Sequence, residues 1–480
     1  MPTTTGSRAA FIAIAVSVAS LALLQNLVIP VIPLIRDDFG ASADAVSWTM
    51  TAWLIAAAIA TPLLGKLGDL RGRRATFLAV LVVVAVGDIV AMAATNLTVL
   101  IVGRVLQGIG GALFALAFSL LRDVMPRERL TGSIGAVSAV IGIGGAAGSV
   151  LAGPLAEALS WRGIFSVPLV VAGVGILLTL LFVPANGQRA AGRVNLVSAA
   201  LLSGWLVALL VPLSSGARWG WASPLTIGLF ALAAVLLAVW AIVELRSDDP
   251  LVDLRLVAGR AVWPINAASL LIGAAAFGFW GYLPQYLETP GSSGWGLGLD
   301  IQSAGLALLP LLVGMSGIGF AAGALARVIP LRALLAAGAL LMGGSVAFVV
   351  LDGRDLVAVA LAGGVFGIGI GLAYAAAASL VVESVPADRT GVATGVNANL
   401  RTIGSATGSA LTSVLVFGSA GADGVPAQSG YQAAWIAVAG FAVLAALIVI
   451  AVRPRREAAA SAGLADSEAA AAVEPAFDAA

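Results

Sequence analysis

Apolar stretches of roughly twenty residues, separated by short polar runs, recur along the chain. They fall near 10–35, 46–65, 75–95, 97–121, 131–156, 163–184, 195–213, 223–244, 261–285, 303–326, 332–350, 355–382, 391–417 and 430–452. Such a length crosses a bilayer core of about 30 Å. Backbone groups in lipid must be satisfied within the segment, so each stretch predicts a helix. The reading is an all-α polytopic membrane protein with fourteen spans. The first run is too long for the apolar core of a cleavable signal peptide, and none is expected. Residues from Glu457 onward are Ala-rich with scattered acids and are expected to be disordered.

The chain repeats itself at an offset near 258–260 residues. Gly65, Leu67 and Arg74 match Gly323, Leu325 and Arg332. The acid, Pro, acid-Arg and Thr-Gly pattern of Asp123–Gly132 recurs in Glu383–Gly391. Both pairs fall in polar runs on one side, so the halves repeat in parallel, a known transporter architecture. The expected organisation is a polar segment 1–9, a six-helix bundle 10–184, two linking spans 195–244, a second six-helix bundle 261–452 and the tail 457–480.

Charge fixes the orientation. Of the 25 Lys and Arg residues, 19 fall in the runs that share a side with the N-terminus and 4 on the other side. The N-terminal side is therefore expected to be cytoplasmic, with both termini inside and the protein in the plasma (inner) membrane. The chain is 60% hydrophobic and only 10% charged, which excludes an ordinary soluble domain. A net charge of +1 gives no electrostatic case for nucleic acid. Cys and His are both absent, which removes disulfides, thiol nucleophiles, Cys/His metal sites and histidine proton relays. No Walker A sequence is present, and no cofactor or metal is expected.

The run GKLGDLRGRR at 65–74 carries Gly65, Leu67, Asp69, Gly72, Arg73 and Arg74 in the order of the loop between helices 2 and 3 of the major facilitator superfamily, which it resembles. Glycines there permit a tight turn and close helix approach. Asp69 suits a helix N-terminus or an arginine, with Arg73 and Asp123 as candidate partners. A basic loop that only sets topology is the plainer reading. Arg104, Gln107, Gly108 and Gly111 follow at helical spacing and resemble the family's fourth-helix motif. In the family this arginine is implicated in proton coupling; a brace to a neighbouring backbone is the alternative. Gly144, Gly145, Gly148, Gly153 and Pro154 resemble the Gly/Pro-rich antiporter motif, with Gly145 and Ser149 where prolines are usual. Small residues at this spacing imply close helix packing at Gly144, Gly148, Gly153 and Pro154. Trp161–Phe165, Trp219–Trp221 and Pro250–Arg255 resemble the fourteen-helix drug:proton antiporter branch.

In one respect the chain departs from that branch. Leu24 stands where the first helix commonly carries an acid, followed by Gln25 and Asn26. Asp88 is then the one acid well inside a span. Asp88 and Arg104 each lie eight residues from Asn96, at a depth of about 12 Å on adjacent helices. An Asp88–Arg104 pair that opens and closes would load and release a proton; a static ion pair is the alternative. Candidate substrate contacts are Gln25, Asn26, Gln107, Tyr282, Gln285, Tyr374, Asn397 and Arg401, with helix bracing the alternative for Asn397 and Arg401, and an interfacial aromatic belt the reading for Tyr286.

The expectation is export of small amphipathic or weakly cationic drug-like molecules by alternating access, driven by protons. A proton-coupled importer on the same fold, a membrane-embedded enzyme and a receptor that has lost transport are the rivals. With no His or Cys and one deep acid, catalytic groups are scarce.

Overall fold

A computed structural model describes residues 4–185, 192–293, 295–419 and 425–452. Arg189, Arg453, Arg455, Arg456 and the tail 457–480 lie outside the described residues.

All regular elements among the described residues are helices. The first part runs α1 (Thr4–Leu27), α2 (Ile32–Phe39), α3 (Ala43–Arg71), α4 (Arg73–Met92), α5 (Leu97–Gly108), α6 (Ala112–Val124), α7 (Arg127–Gly163) and α8 (Ser166–Phe182). Next come α9 (Leu196–Trp219), α10 (Pro224–Arg246) and the short α11 (Leu254–Val257). The last part runs α12 (Trp263–Trp280), α13 (Leu283–Glu288), α14 (Ile301–Ala307), α15 (Leu309–Leu325), α16 (Leu331–Asp352), α17 (Leu356–Ser384), α18 (Thr390–Phe417) and α19 (Gln428–Ala451).

Polar side chains at the ends start these helices where the apolar pattern begins. The side chains of Asn96, Asn195, Ser223 and Asp355 accept backbone N–H bonds from the first turns of α5, α9, α10 and α17, satisfying donors that have no partner within the helix. Gly72 alone separates α3 from α4, at φ 112°, a backbone conformation that other residues adopt only with strain. The chain thereby reverses within one residue. Ser160, at φ 61°, kinks α7 near its end.

Eleven helices are long and apolar enough to cross a membrane, or up to twelve when the bent pair Leu151–Gly163 and Ser166–Phe182 is one span, among the described residues. α18 is 28 residues long but carries Asn397, Asn399 and Arg401 along with several Thr and Ser, so its composition does not qualify. Exposed Val170, Leu181, Val235 and Ile436 give the bundle an apolar exterior, as lipid contact requires.

Three apolar clusters organise the packing. One joins α1 to α8 around Ile14, Leu21, Phe77, Leu116 and Phe165. A second joins α12 to α19 around Phe279, Leu311, Met342, Phe366 and Trp435. The third sets Leu206, Leu210 and Trp240 of α9 and α10 against Ala58 of α3 and Val392 of α18. The linking helices thus lie over the seam where α3 meets α18. Backbones come close at small residues: Gly148 of α7 lies against the Leu23 carbonyl of α1, and Gly273 of α12 against the Arg401 carbonyl of α18.

Tyr286 departs from the aromatic-belt expectation. It is buried, donates to the Gly353 carbonyl at 2.8 Å, and packs with Trp295, Tyr431 and Trp435. Gly353, Tyr431 and Trp435 come from distant parts of the chain, so no local pattern marks the cluster.

Candidate functional site

The first and last helical groups meet most intimately at the face that carries the arginine-rich loops. Asp69, near the end of α3, is 1% exposed. Its Oδ1 accepts from Arg73 Nη2 at 2.9 Å and from the Gly391 backbone N–H at 3.2 Å, and its Oδ2 accepts from the Val392 N–H at 3.0 Å. Asp69 therefore pairs with an arginine and caps the N-terminus of α18, where the helix dipole favours a negative charge. Arg73, also 1% exposed, donates to Asp123 at 2.5 Å and to the Ala387 carbonyl of the other group. Gly72 positions this arginine by turning the chain directly before it. Arg74 points elsewhere and donates to the Leu180 carbonyl at 2.8 Å.

Gly65 brings the backbones together. A methyl added there would lie 2.5 Å from the Gly391 carbonyl oxygen. Gly132 and Gly323 make the corresponding contact between α7 and α15. In the internal repeat Gly65 corresponds to Gly323 and Gly132 to Gly391, so the two contacts are related by the repeat. The charges are not symmetric: the position equivalent to Asp69 is Arg327, and the α7–α15 contact has no capping acid.

Sequence reasoning did not single out several further contacts. Arg122 donates to the Val385 carbonyl at 2.9 Å and to Thr390 Oγ1 at 2.6 Å, and Thr131 donates to Glu383 at 3.4 Å. These residues sit in or beside the repeated segments 123–132 and 383–391, which was the available signal. The segment after α10 straps the same face, with Lys66 donating to the Pro250 carbonyl at 3.0 Å and Arg389 pairing with Asp253. These hydrogen bonds between the first and last helical groups, together with that from Thr394 to the Ala115 carbonyl, lie at or within the first turns of this face. At the opposite end of α7, Leu151, Gly153, Pro154, Glu157 and Leu159 are exposed.

Inside the first group, Asp88 and Arg104 are both fully buried but do not touch. Gln107 lies between them, its amide nitrogen donating to Asp88 Oδ1 at 2.8 Å and its oxygen accepting from Arg104 Nη1 at 2.8 Å. Matching depth did not fix the facing of the two side chains, and a residue one turn along α5 fills the gap. Arg104 also donates to the Thr49 carbonyl at 3.1 Å and lies over the Trp53 ring. Asp88 Oδ2 is buried with no partner among the described residues. Gln107 is 0% exposed, so it bridges two charges rather than lining a cavity.

The other candidate contacts are dispersed. Leu24 is buried, while Gln25 and Asn26 are half-buried, with Asn26 donating to the Ala22 carbonyl and packing on Gly145 of α7. Gly144 and Gly148 lie against α1, but Gly153 has nothing within 4 Å and Pro154 is exposed, because they fall on the outer face of α7 while Ala152 beside them stays in the core. Asn397 is buried and donates to Asn266 Oδ1 and Ser269 Oγ, both at 2.9 Å, bracing α18 on α12. Tyr282 donates to the Ser409 carbonyl at 3.0 Å, and Gln285 is exposed. Tyr374 and Arg401 meet, with the guanidinium 4.5 Å from the ring centre.

Comparison with known proteins agrees with this architecture. The sequence profile of the Major Facilitator Superfamily matches residues 14–409. The chain is 30% identical over 418 residues to the tetracenomycin C resistance and export protein of Streptomyces glaucescens, covering 84% of this chain and 75% of that one. It is 26% identical to the multidrug transporter protein MdtP of Bacillus subtilis, covering 86% and 78%. Among solved structures, the human organic anion transporter MFSD10 superposes with a TM-score of 0.68 at 18% identity, covering 94% of this chain and all of that one. The proton:xylose symporter XylE superposes with a TM-score of 0.67 at 14% identity, covering 94% and 97%. These likenesses show the fold. With the profile spanning most of its length, and with two helical groups meeting around the Asp69 motif, the chain belongs to the major facilitator superfamily, a family of transporters and not of enzymes.

Proposed function

We propose that this protein exports small amphipathic organic molecules by alternating access, driven by the proton-motive force, as a member of the fourteen-helix drug:proton antiporter branch. The observation that carries the reading is the one-sided seal. Asp69 caps α18 across the seam, and the hydrogen bonds described above between the first and last groups gather on that face, while the opposite end of α7 is exposed. One end state of an alternating-access carrier requires this arrangement. Both helical groups are rigidly packed within themselves, so opening the seal requires the groups to rock.

The span count of fourteen treats α7 and α8 as separate crossings and adds α18, whose Asn397, Asn399 and Thr412 are buried against protein. The charge bias places the sealed face in the cytoplasm, with both termini there and the protein in the plasma membrane. The seal then opens to admit substrate from the cytoplasm and closes in the state described here.

Asp88 is the proposed proton carrier. It is fully buried within the first group, one of its oxygens has no partner among the described residues, and Gln107 links it to Arg104. Gln25, Asn26, Tyr282, Tyr374 and Arg401 are the proposed substrate contacts.

Import is the second reading, since a proton:xylose symporter shares the fold. The relatives named for drug resistance and export favour outward transport. A susceptibility panel in an efflux-deficient host separates the two. Expression should raise tolerance to at least one class of drug, and increased sensitivity to a compound would instead support import.

A further inference from the structure

The charge of the substrate follows from one arginine. Arg401 lies eleven residues into α18 and sixteen before its end at Phe417, about 16 Å and 24 Å from the two ends. No other charged side chain among the described residues is as far from both ends of its helix. The Arg401 carbonyl packs against Gly273 of α12, which fixes the backbone at this point. No hydrogen bond or ion pair of its guanidinium is found among the described residues, and it lies 4.5 Å from the centre of the Tyr374 ring.

Tyr374 shows where this pair points. From Gly369 to Val382, α17 is buried at every position except Tyr374. The accessible side of Tyr374 therefore opens within the bundle rather than onto a lipid-facing flank. A guanidinium at mid-membrane without a counter-charge is expensive unless it faces such an opening and finds a partner there. Stacked on a tyrosine, it keeps its N–H edge free for a bidentate acceptor and its outer face free for another ring. The surroundings supply polar amides and no carboxylate among the described contacts: Asn399 Oδ1, two residues from Arg401, is a buried acceptor without a partner. Asn397, one turn before Arg401, holds Asn266, whose Nδ2 is buried without an acceptor. Asp88 is sealed inside the first group, and exposed Glu157 lies six residues from the far end of α7.

We infer that Arg401 and Tyr374 form an anion-reading site, and that the preferred substrates are planar aromatic molecules bearing a carboxylate or ionised phenol. This rests on the export reading for its place in a transport cycle, and it replaces the expectation of weakly cationic substrates with the opposite sign.

The test uses the purified full chain and two xanthene dyes of similar shape, anionic fluorescein and cationic tetramethylrhodamine ethyl ester. Binding is read by fluorescence polarisation, and transport in proteoliposomes. Wild type should bind fluorescein more tightly. Arg401→Gln should weaken fluorescein by about ten- to a hundredfold, the worth of a charged hydrogen-bonded pair, and leave the cation unchanged. Arg401→Lys should recover part of the loss, and a thermal melt of each variant shows that it is folded. Tighter binding of the cation, or fluorescein binding unaffected by Arg401→Gln, overturns the inference. Fluorescein bound through Arg401 but not carried would uphold the site and defeat the export reading. A cation carried while fluorescein is neither bound nor moved would do the reverse.

Discussion

Gly65 and Gly391 meet backbone to backbone across the seam between the two helical groups, so closely that a methyl on Gly65 would sit 2.5 Å from the Gly391 carbonyl oxygen. Neither side is a flexible side chain, and the strain of a Cβ must be relieved by parting the helices. Gly65→Ala should therefore oppose the sealed state by about 1–3 kcal/mol, the usual scale of overpacking. That corresponds to about a five- to a hundredfold shift between the two end states. Labelling of a cysteine introduced at Val392 reads the shift without background, because the chain has no native cysteine. Faster labelling in the Gly65→Ala protein is expected, and an unchanged rate would mean that the contact does not limit closure.

Asp69 holds the same seam by charge. Asp69→Asn keeps the shape but loses the anion that meets Arg73 and the dipole of α18. Charge-assisted bonds of this kind contribute about 1.5–3 kcal/mol, so transport should fall at least about tenfold while the protein still inserts. Efflux rates normalised to the amount of protein in the membrane check this, and a wild-type rate would contradict it.

Proton coupling is assigned to Asp88. Asp88→Asn can still meet Gln107 but cannot titrate, so drug-driven proton movement in proteoliposomes should vanish while drug binding persists. Gln107→Leu strips the donor from a buried carboxylate, a loss of about 1–3 kcal/mol, and should lower the yield of folded protein. Adding Asp88→Asn to that background should restore part of it. Proton movement at the wild-type rate in Asp88→Asn would return Asp88, Gln107 and Arg104 to a purely structural role and make Asp69 or Asp123 the next candidate.

Tyr286 provides a stability test away from the seam. Tyr286→Phe keeps the ring among Trp295, Tyr431 and Trp435 but removes the bond to the Gly353 carbonyl. The carbonyl is left without that donor, and a destabilisation of about 1 kcal/mol is expected. Thermal unfolding in detergent should show a lowered midpoint with little change in transport.

Local patterns made much of this legible, and long-range facing hid the rest. The apolar periodicity marks the helices because lipid imposes length and composition on each. The repeat at 123–132 and 383–391 marks the segments that meet at the sealed face. Depth along a helix is a one-dimensional quantity, so Asp88 and Arg104 were placed at one level; rotation about the helix axis is not, and Gln107 came between them. Gly153 and Pro154 continue a small-residue pattern that packs at Gly148, yet they fall on the outer face of α7, opposite the buried Ala152. Arg401 shows the same limit. Its position within α18 is plain in the sequence, but its contact with Tyr374, and the absence of a carboxylate partner among the described residues, depend on how α17 and α18 are set together.

The central claim is outward transport driven by protons, and everted membrane vesicles test it most directly. In such vesicles the cytoplasmic face points outward, so export appears as uptake. Imposing an acidic interior should drive accumulation of a drug identified in the susceptibility panel, and collapsing the gradient with an uncoupler should abolish it. Accumulation that persists after the gradient is collapsed, or that occurs only in right-side-out vesicles, would contradict the account.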